Sequence, residues 1–130
     1  MISTTSAQEI FSEEALEHLD VLEAGLLALE DDPGEQANQS MIDQLFRSAH
    51  SLKGAAALLK YQAISEIAHE VENLLEAIKL GTLHPGERLH DALLAAIDGM
   101  RTLLQMIGRP DYADFSALQA LRLCQQLQTA

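Results

Sequence analysis

Tryptophan is absent from this 130-residue chain, and only three phenylalanines and two tyrosines stand in for it. Aromatic residues make up 4% of the sequence, while Leu and Ala dominate a hydrophobic content of 48%. Strands favour β-branched and aromatic side chains, so this composition points to helices. There is one cysteine, Cys124. A single thiol builds no disulfide framework, which points to a reducing compartment and a cytoplasmic location. The opening stretch, MISTTSAQEIFSEE, has no basic start and no long apolar run, so a secretory signal is not expected. No segment approaches the roughly 18 consecutive apolar residues of a membrane span. Basic residues are also scarce, with 8 Lys and Arg against 20 Asp and Glu and a net charge of −12. That balance argues against nucleic acid and against anionic membranes as partners. A glycine-rich phosphate loop is missing, so the chain is expected to bind no nucleotide and not to phosphorylate itself. HEVEN, at residues 69–73, is not the zinc motif H-E-x-x-H, because Asn73 stands where the second histidine is required. No metal site is therefore expected.

What the chain does contain is helical periodicity. The length fits one domain with one core, and five helices are predicted, at about 7–30, 36–59, 62–80, 87–107 and 114–127. The first opens at Ser6 with Glu9 three residues on, a capping-box pattern. Phe11, Ala15, Leu19, Leu22, Leu26 and Leu29 then recur at three- and four-residue steps, and DDPGE ends the run. The second carries Ile42, Leu45, Ala49, Leu52, Ala56 and Leu59; the third carries Ile64, Ile67, Ala68, Val71, Leu75 and Ile78. Gly81 is the expected C-cap of the third helix, and HPGE separates it from the fourth. Leu89, Leu93, Ile97, Met100, Leu104 and Ile107 form the fourth stripe, before Gly108 and Pro110. The last helix reads as shorter and less sharply patterned. Amphipathic helices with short links make antiparallel neighbours. The predicted fold is therefore an all-α, up-down bundle of four core helices plus a fifth at the C-terminus.

The charge is unevenly placed. The first 43 residues hold eleven acids and no Lys or Arg, whereas no acid occurs from Gln44 to Ser65, where Arg47, Lys53 and Lys60 lie. His50 sits in that window, in FRSAHSLKGAAALL. A tight link around Lys60–Tyr61 makes the second and third helices a hairpin, so residues equally far from the turn lie level. His50 and Glu72 are each eleven residues from Tyr61, and Lys53 and His69 are each eight. His50 and Lys53 are one turn apart on one helix, as are His69 and Glu72 on the other. His50 and Glu72 both flank an apolar stripe, a position half in the packing and half in water. A carboxylate accepting the Nδ1–H of His50 would leave the Nε2 lone pair free as a nucleophile. Lys53 would neutralise an arriving phosphoryl group. Gly54, costing about 1 kcal/mol in a helix relative to Ala, is explained by close approach of a partner, and Ala55, Ala56 and Ala57 keep the surroundings low. His18, His84 and His90 lack ligand spacing and are expected in solvent. Cys124 reads as a packing residue.

AHSLKGAAALL resembles the phosphorylation motif of histidine phosphotransfer (HPt) domains, and IAHEVENLLE resembles the second motif of the phosphotransfer domain that heads CheA-type chemotaxis kinases. The resemblance covers most of the chain. It implies that His50 is phosphorylated by an ATP-dependent kinase domain and donates the phosphate to an aspartate of a CheY-like response regulator. It further implies that Glu72 orients His50, that Lys53 assists transfer and that His69 belongs to the supporting network. Arg47, Ser51, Gly54 and Ala57 are the expected partner-binding residues. The domain is then a phospho-carrier and not an enzyme by itself. It is expected to bind no cofactor, with ATP on the kinase domain and Mg²⁺ on the regulator. Two alternatives stand beside this reading: a relay domain fed by another regulator's aspartate in a hybrid phosphorelay, and a helical docking module that carries no phosphate.

Overall fold

The computed structural model describes residues 4–31, 35–84 and 86–130. They form five α-helices: α1 (Thr4–Asp31), α2 (Glu35–Leu58), α3 (Gln62–Lys79), α4 (Glu87–Met106) and α5 (Tyr112–Thr129). No strand occurs among the described residues. α1 packs on α2 and α4, α3 packs on α2 and α4, and α5 lies against α3 and α4. The result is a four-helix bundle with a fifth helix laid along one side.

The periodic stripes meet at the centre. Leu19, Leu22, Leu45, Leu52, Ile64, Ile67, Leu75, Leu93, Ile97 and Met100 are fully buried. Each removes apolar surface worth about 1.5–3 kcal/mol from water. The stripe residues nearest the helix ends, Leu29, Leu59, Ile78 and Ile107, are only partly buried, because the bundle opens there. Two close helix approaches depend on glycine. A Cβ on Gly25 of α1 would lie 2.3 Å from Leu45 Cδ2 of α2, and one on Gly99 of α4 would lie 2.3 Å from Leu123 Cδ1 of α5.

The helix limits lie within three residues of the sequence expectation, and α1 and α5 extend beyond it at both ends. α1 includes Thr4, so Ser6 lies inside the helix instead of capping it. The side chain of Ser6 lies outside the described residues, as do 32–34 of DDPGE and Pro85 of HPGE. α5 has 18 residues, as many as α3, and buries Ser116, Ala120, Leu123 and Leu127. Its stripe of small and large residues is too mixed to show as clear periodicity. Gly81 does end α3, with φ +78°. Its N–H donates to Ile78 O, and Thr82 N–H donates to Ala77 O, which is the paired bonding of a Schellman motif.

The turn that sets the register of the central hairpin joins α2 to α3. Lys60 N–H donates to Ala57 O and Tyr61 N–H to Ala56 O, the same motif with Lys60 at φ +66°. A non-glycine residue there costs roughly 1–2 kcal/mol. Tyr61 anchors the turn by stacking on Phe11 at 5.0 Å between ring centroids and meeting Tyr112 edge-on at 6.4 Å. The hairpin register is thus fixed by a short, well-bonded turn pinned to α1 and α5.

Candidate functional site

α2 presents His50 to solvent on the face opposite its core stripe. Ala49 and Leu52 are fully buried, whereas Arg47, His50, Ser51, Gly54 and Ala57 are all exposed along one continuous strip. The His50 side chain is 63% exposed, and that of Glu72 only 8%. The two carboxylate oxygens of Glu72 are shared between α2 residues one turn apart: Oε2 contacts His50 Nδ1, and Oε1 accepts from Lys53 Nζ at 2.9 Å. Ser65 Oγ–H donates to Lys53 O at 3.2 Å, a further tie across the hairpin.

Glu72 departs from the sequence expectation. It is a buried residue, not one half in water. Its helix neighbours Val71 and Leu75 are fully buried in the seam with α2, and Glu72 enters that seam with them. Burial raises its pKa, but hydrogen bonds from Lys53 and His50 and their charges outweigh it and hold the carboxyl below its ordinary 4.5. Glu72 is therefore an anion at neutral pH and only accepts hydrogen bonds. The proton of the His50–Glu72 bond belongs to Nδ1, which leaves the Nε2 lone pair free and directed outward.

Lys53 was expected level with His69. It turns instead to Glu72, and the exposed His69 makes no hydrogen bond to His50, Lys53 or Glu72. A buried carboxylate attracts the ammonium more strongly than an exposed imidazole does. Two other histidines also depart from expectation: His18 is half-buried and His90 is 13% exposed at its side chain. His90 follows the buried Leu89 and faces a cavity of about 390 Å³ between the ends of α1, α3 and α4, with Nε2 3.3 Å from Glu30 Oε2. His84 is exposed.

Three residues around the site escaped sequence reading. Phe46, one turn before His50 on α2, stacks on the imidazole at 6.2 Å between ring centroids with 14° between planes. Lys79 places its Nζ 5.6 Å from the Phe46 centroid and 2.6 Å from Asp43 Oδ1. The signal was present: Asp43 and Lys79 are each eighteen residues from Tyr61, the same register that pairs His50 with Glu72. Among the described residues, no group of three or more His, Cys, Asp or Glu side chains is arranged to hold a metal ion. Nor is any helix long and apolar enough to cross a membrane.

Known proteins share both the sequence and the architecture. "Chemotaxis protein CheA" of Borreliella burgdorferi is 38% identical over 97 residues, which cover 75% of this chain and 11% of that protein. Its counterpart in Listeria monocytogenes is 35% identical over 115 residues, covering 87% of this chain and 18% of the relative. The chain thus spans less than a fifth of the length of these curated relatives. The fold is matched by the phosphorylated P1 domain of CheA3 from R. sphaeroides, solved in complex with CheY6. The TM-score is 0.78 at 24% identity, over 95% of this chain and 93% of the other. The Hpt domain model matches residues 7–105, a span that holds the whole α2–α3 hairpin with His50, Lys53 and Glu72. A histidine presented on a helical hairpin, with its partner carboxylate on the facing helix, is thus set within a recognised family, and the chain belongs to the Hpt domain family.

Proposed function

We propose that this chain is a phosphoryl carrier of chemotaxis-type signalling, with His50 as the residue that carries the phosphate. The observation that supports this most is the bond between His50 Nδ1 and the buried Glu72 carboxylate, which leaves Nε2 as a free, oriented nucleophile. In the first step the Nε2 lone pair attacks the γ-phosphorus of ATP held by a separate kinase domain. The bond from phosphorus to the β–γ bridging oxygen breaks, and ADP leaves with that electron pair. The Nδ1 proton stays between the ring and Glu72, whose negative charge stabilises the positive phosphoimidazole ring. In the second step a carboxylate oxygen of a regulator aspartate, beside a Mg²⁺ held by the regulator, attacks phosphorus. The P–Nε2 bond breaks and its electron pair returns to Nε2.

Lys53 has two parts to play. It holds Glu72 in the anionic form through the 2.9 Å bond, and its charge, one turn from His50, offsets that of the arriving phosphoryl group. Arg47, Ser51, Gly54 and Ala57 share the exposed strip of His50 and form the surface that kinase and regulator approach. The domain has no turnover of its own in this scheme and works in the cytoplasm, where ATP and both partners are available. The relatives named "Chemotaxis protein CheA", and the structural neighbour solved phosphorylated and in complex with CheY6, support the same direction.

The test is radiolabelled ATP with a CheA-type kinase domain, followed by addition of regulator. Wild-type chain is expected to take label and lose it to the regulator, while His50→Gln takes none. Equal labelling of the variant would contradict the proposal.

A further inference from the structure

We infer that Phe46 is a positioning residue for His50, fixing the plane of the imidazole and with it the direction in which Nε2 attacks. The inference rests on the phosphotransfer reading above. A side chain that is 63% exposed has little packing to hold it. The bond to Glu72 secures the Nδ1 edge, but one hydrogen bond leaves the ring free to rock about that edge. The Nε2 lone pair lies in the plane of the ring, so rocking swings the lone pair. In-line phosphoryl transfer is governed by alignment, because most of its catalysis is positioning.

Phe46 removes that freedom. Its ring lies nearly parallel to the imidazole, 14° between planes and 6.2 Å between centroids, as an i, i+4 pair on one helix face allows. The Phe46 ring is itself placed by packing against the core on one side and by Lys79 near its face. Lys79 is in turn held by Asp43 across the hairpin at 2.6 Å. Asp43, Phe46 and His50 descend α2 in successive turns, with Lys79 and Glu72 answering from α3. The nucleophile is therefore held at one edge by a carboxylate and flanked by a nearly parallel, offset aromatic ring, leaving the Nε2 edge open.

The experiment compares wild type, Phe46→Leu and Phe46→Tyr by two readouts. Proton NMR reports ring-current shifts of the His50 ring protons. Rates of phosphorylation from phosphoramidate, and of transfer to a regulator, are resolved into kcat and KM. In wild type the Phe46 ring current is expected to shift the His50 ring protons. Phe46→Leu is expected to lose that shift and to lower kcat by roughly two- to tenfold, the scale of one aromatic pair, with KM unchanged. Phe46→Tyr, which keeps the ring, restores both. Unshifted His50 protons in wild type would overturn the inference whatever the variants do. So would wild-type kcat in Phe46→Leu, or a Phe46→Tyr as slow as the Leu variant. Failure of the wild-type chain to take phosphate from either phosphoramidate or kinase would overturn the phosphotransfer reading itself, a distinct outcome.

Discussion

At the scale of single residues, the site turns on one buried charge. Glu72 holds Lys53 and His50 together, and removing the charge while keeping the shape separates its roles. Glu72→Gln is expected to slow phosphoryl transfer on the order of 10- to 100-fold, the scale seen when a partner that orients a histidine is lost. The same change leaves Lys53 without its anion and lowers stability by about 1–2 kcal/mol at neutral pH. The pH dependence follows from the direction of the shift. A carboxyl held below its ordinary 4.5 in the folded state stabilises the fold above that value, and the contribution is lost as pH falls through the depressed value. The stability gap between wild type and Glu72→Gln, followed by urea unfolding, therefore narrows as pH drops below about 4.5. Cys124 illustrates the opposite case. Burial and the nearby Glu70 and Glu66 push its thiol up to about 11. At pH 8 its thiolate fraction is about 100-fold below that of a free thiol, but a thiolate of higher pKa is the stronger nucleophile, so iodoacetamide is expected to alkylate the folded chain roughly tenfold more slowly than the unfolded one. The identity of His50 and Glu72 as partners is legible in the sequence because both positions follow from counting outward from a tight turn. The burial of Glu72 and the turning of Lys53 away from His69 are not legible, since rotation of each helix about its axis is decided by packing across the whole bundle.

At the scale of helices, two glycines that look alike in sequence have opposite meanings. Gly54 lies on the exposed strip of α2, where a Cβ would meet nothing within 4 Å. Gly54→Ala is expected to stabilise the fold by up to about 1 kcal/mol through helix propensity. The same substitution is expected to slow transfer to the regulator if partner approach is the reason for the glycine. Thermal melting and transfer kinetics together check this: a more stable variant with unchanged transfer would remove that reason. Gly25 lies where α1 meets α2, and the Leu45 side chain it would strike is fully buried. Overpacking costs about 1–3 kcal/mol, which exceeds the propensity gain, so Gly25→Ala is expected to lower the melting temperature. Sequence reading reaches the stripes of α1 to α4 because each places one apolar face on one core. It underestimates α5, whose buried face mixes Ser116 and Ala120 with Leu123 and Leu127. It also passes over Gly25 and Gly99, because close helix approach depends on which helices become neighbours and at what depth.

At the scale of the whole molecule, the bundle is a mount for one exposed histidine. The exposed strip around His50 carries Arg47 and no acid, with Lys53 half-buried beside it. α1 is tied to α4 by Arg101, which reaches Asp20 at 2.8 Å and Glu23 at 2.5 Å. α2 is tied to α3 by the pairs at His50, Lys53 and Lys79. The hairpin that bears His50 is thus held by the turn at Lys60 and Tyr61, by its own ion pairs and by the shared core. Together they hold α2 against α3, where His50 Nδ1 meets the buried Glu72 carboxylate. The most direct measurement is to phosphorylate the chain with a CheA-type kinase domain and ATP and then locate the phosphate by nitrogen and phosphorus NMR. The account predicts a single phosphoryl group on Nε2 of His50 and none on His50→Gln. A phosphoryl group on Nδ1, on another residue, or on the His50→Gln chain would contradict it.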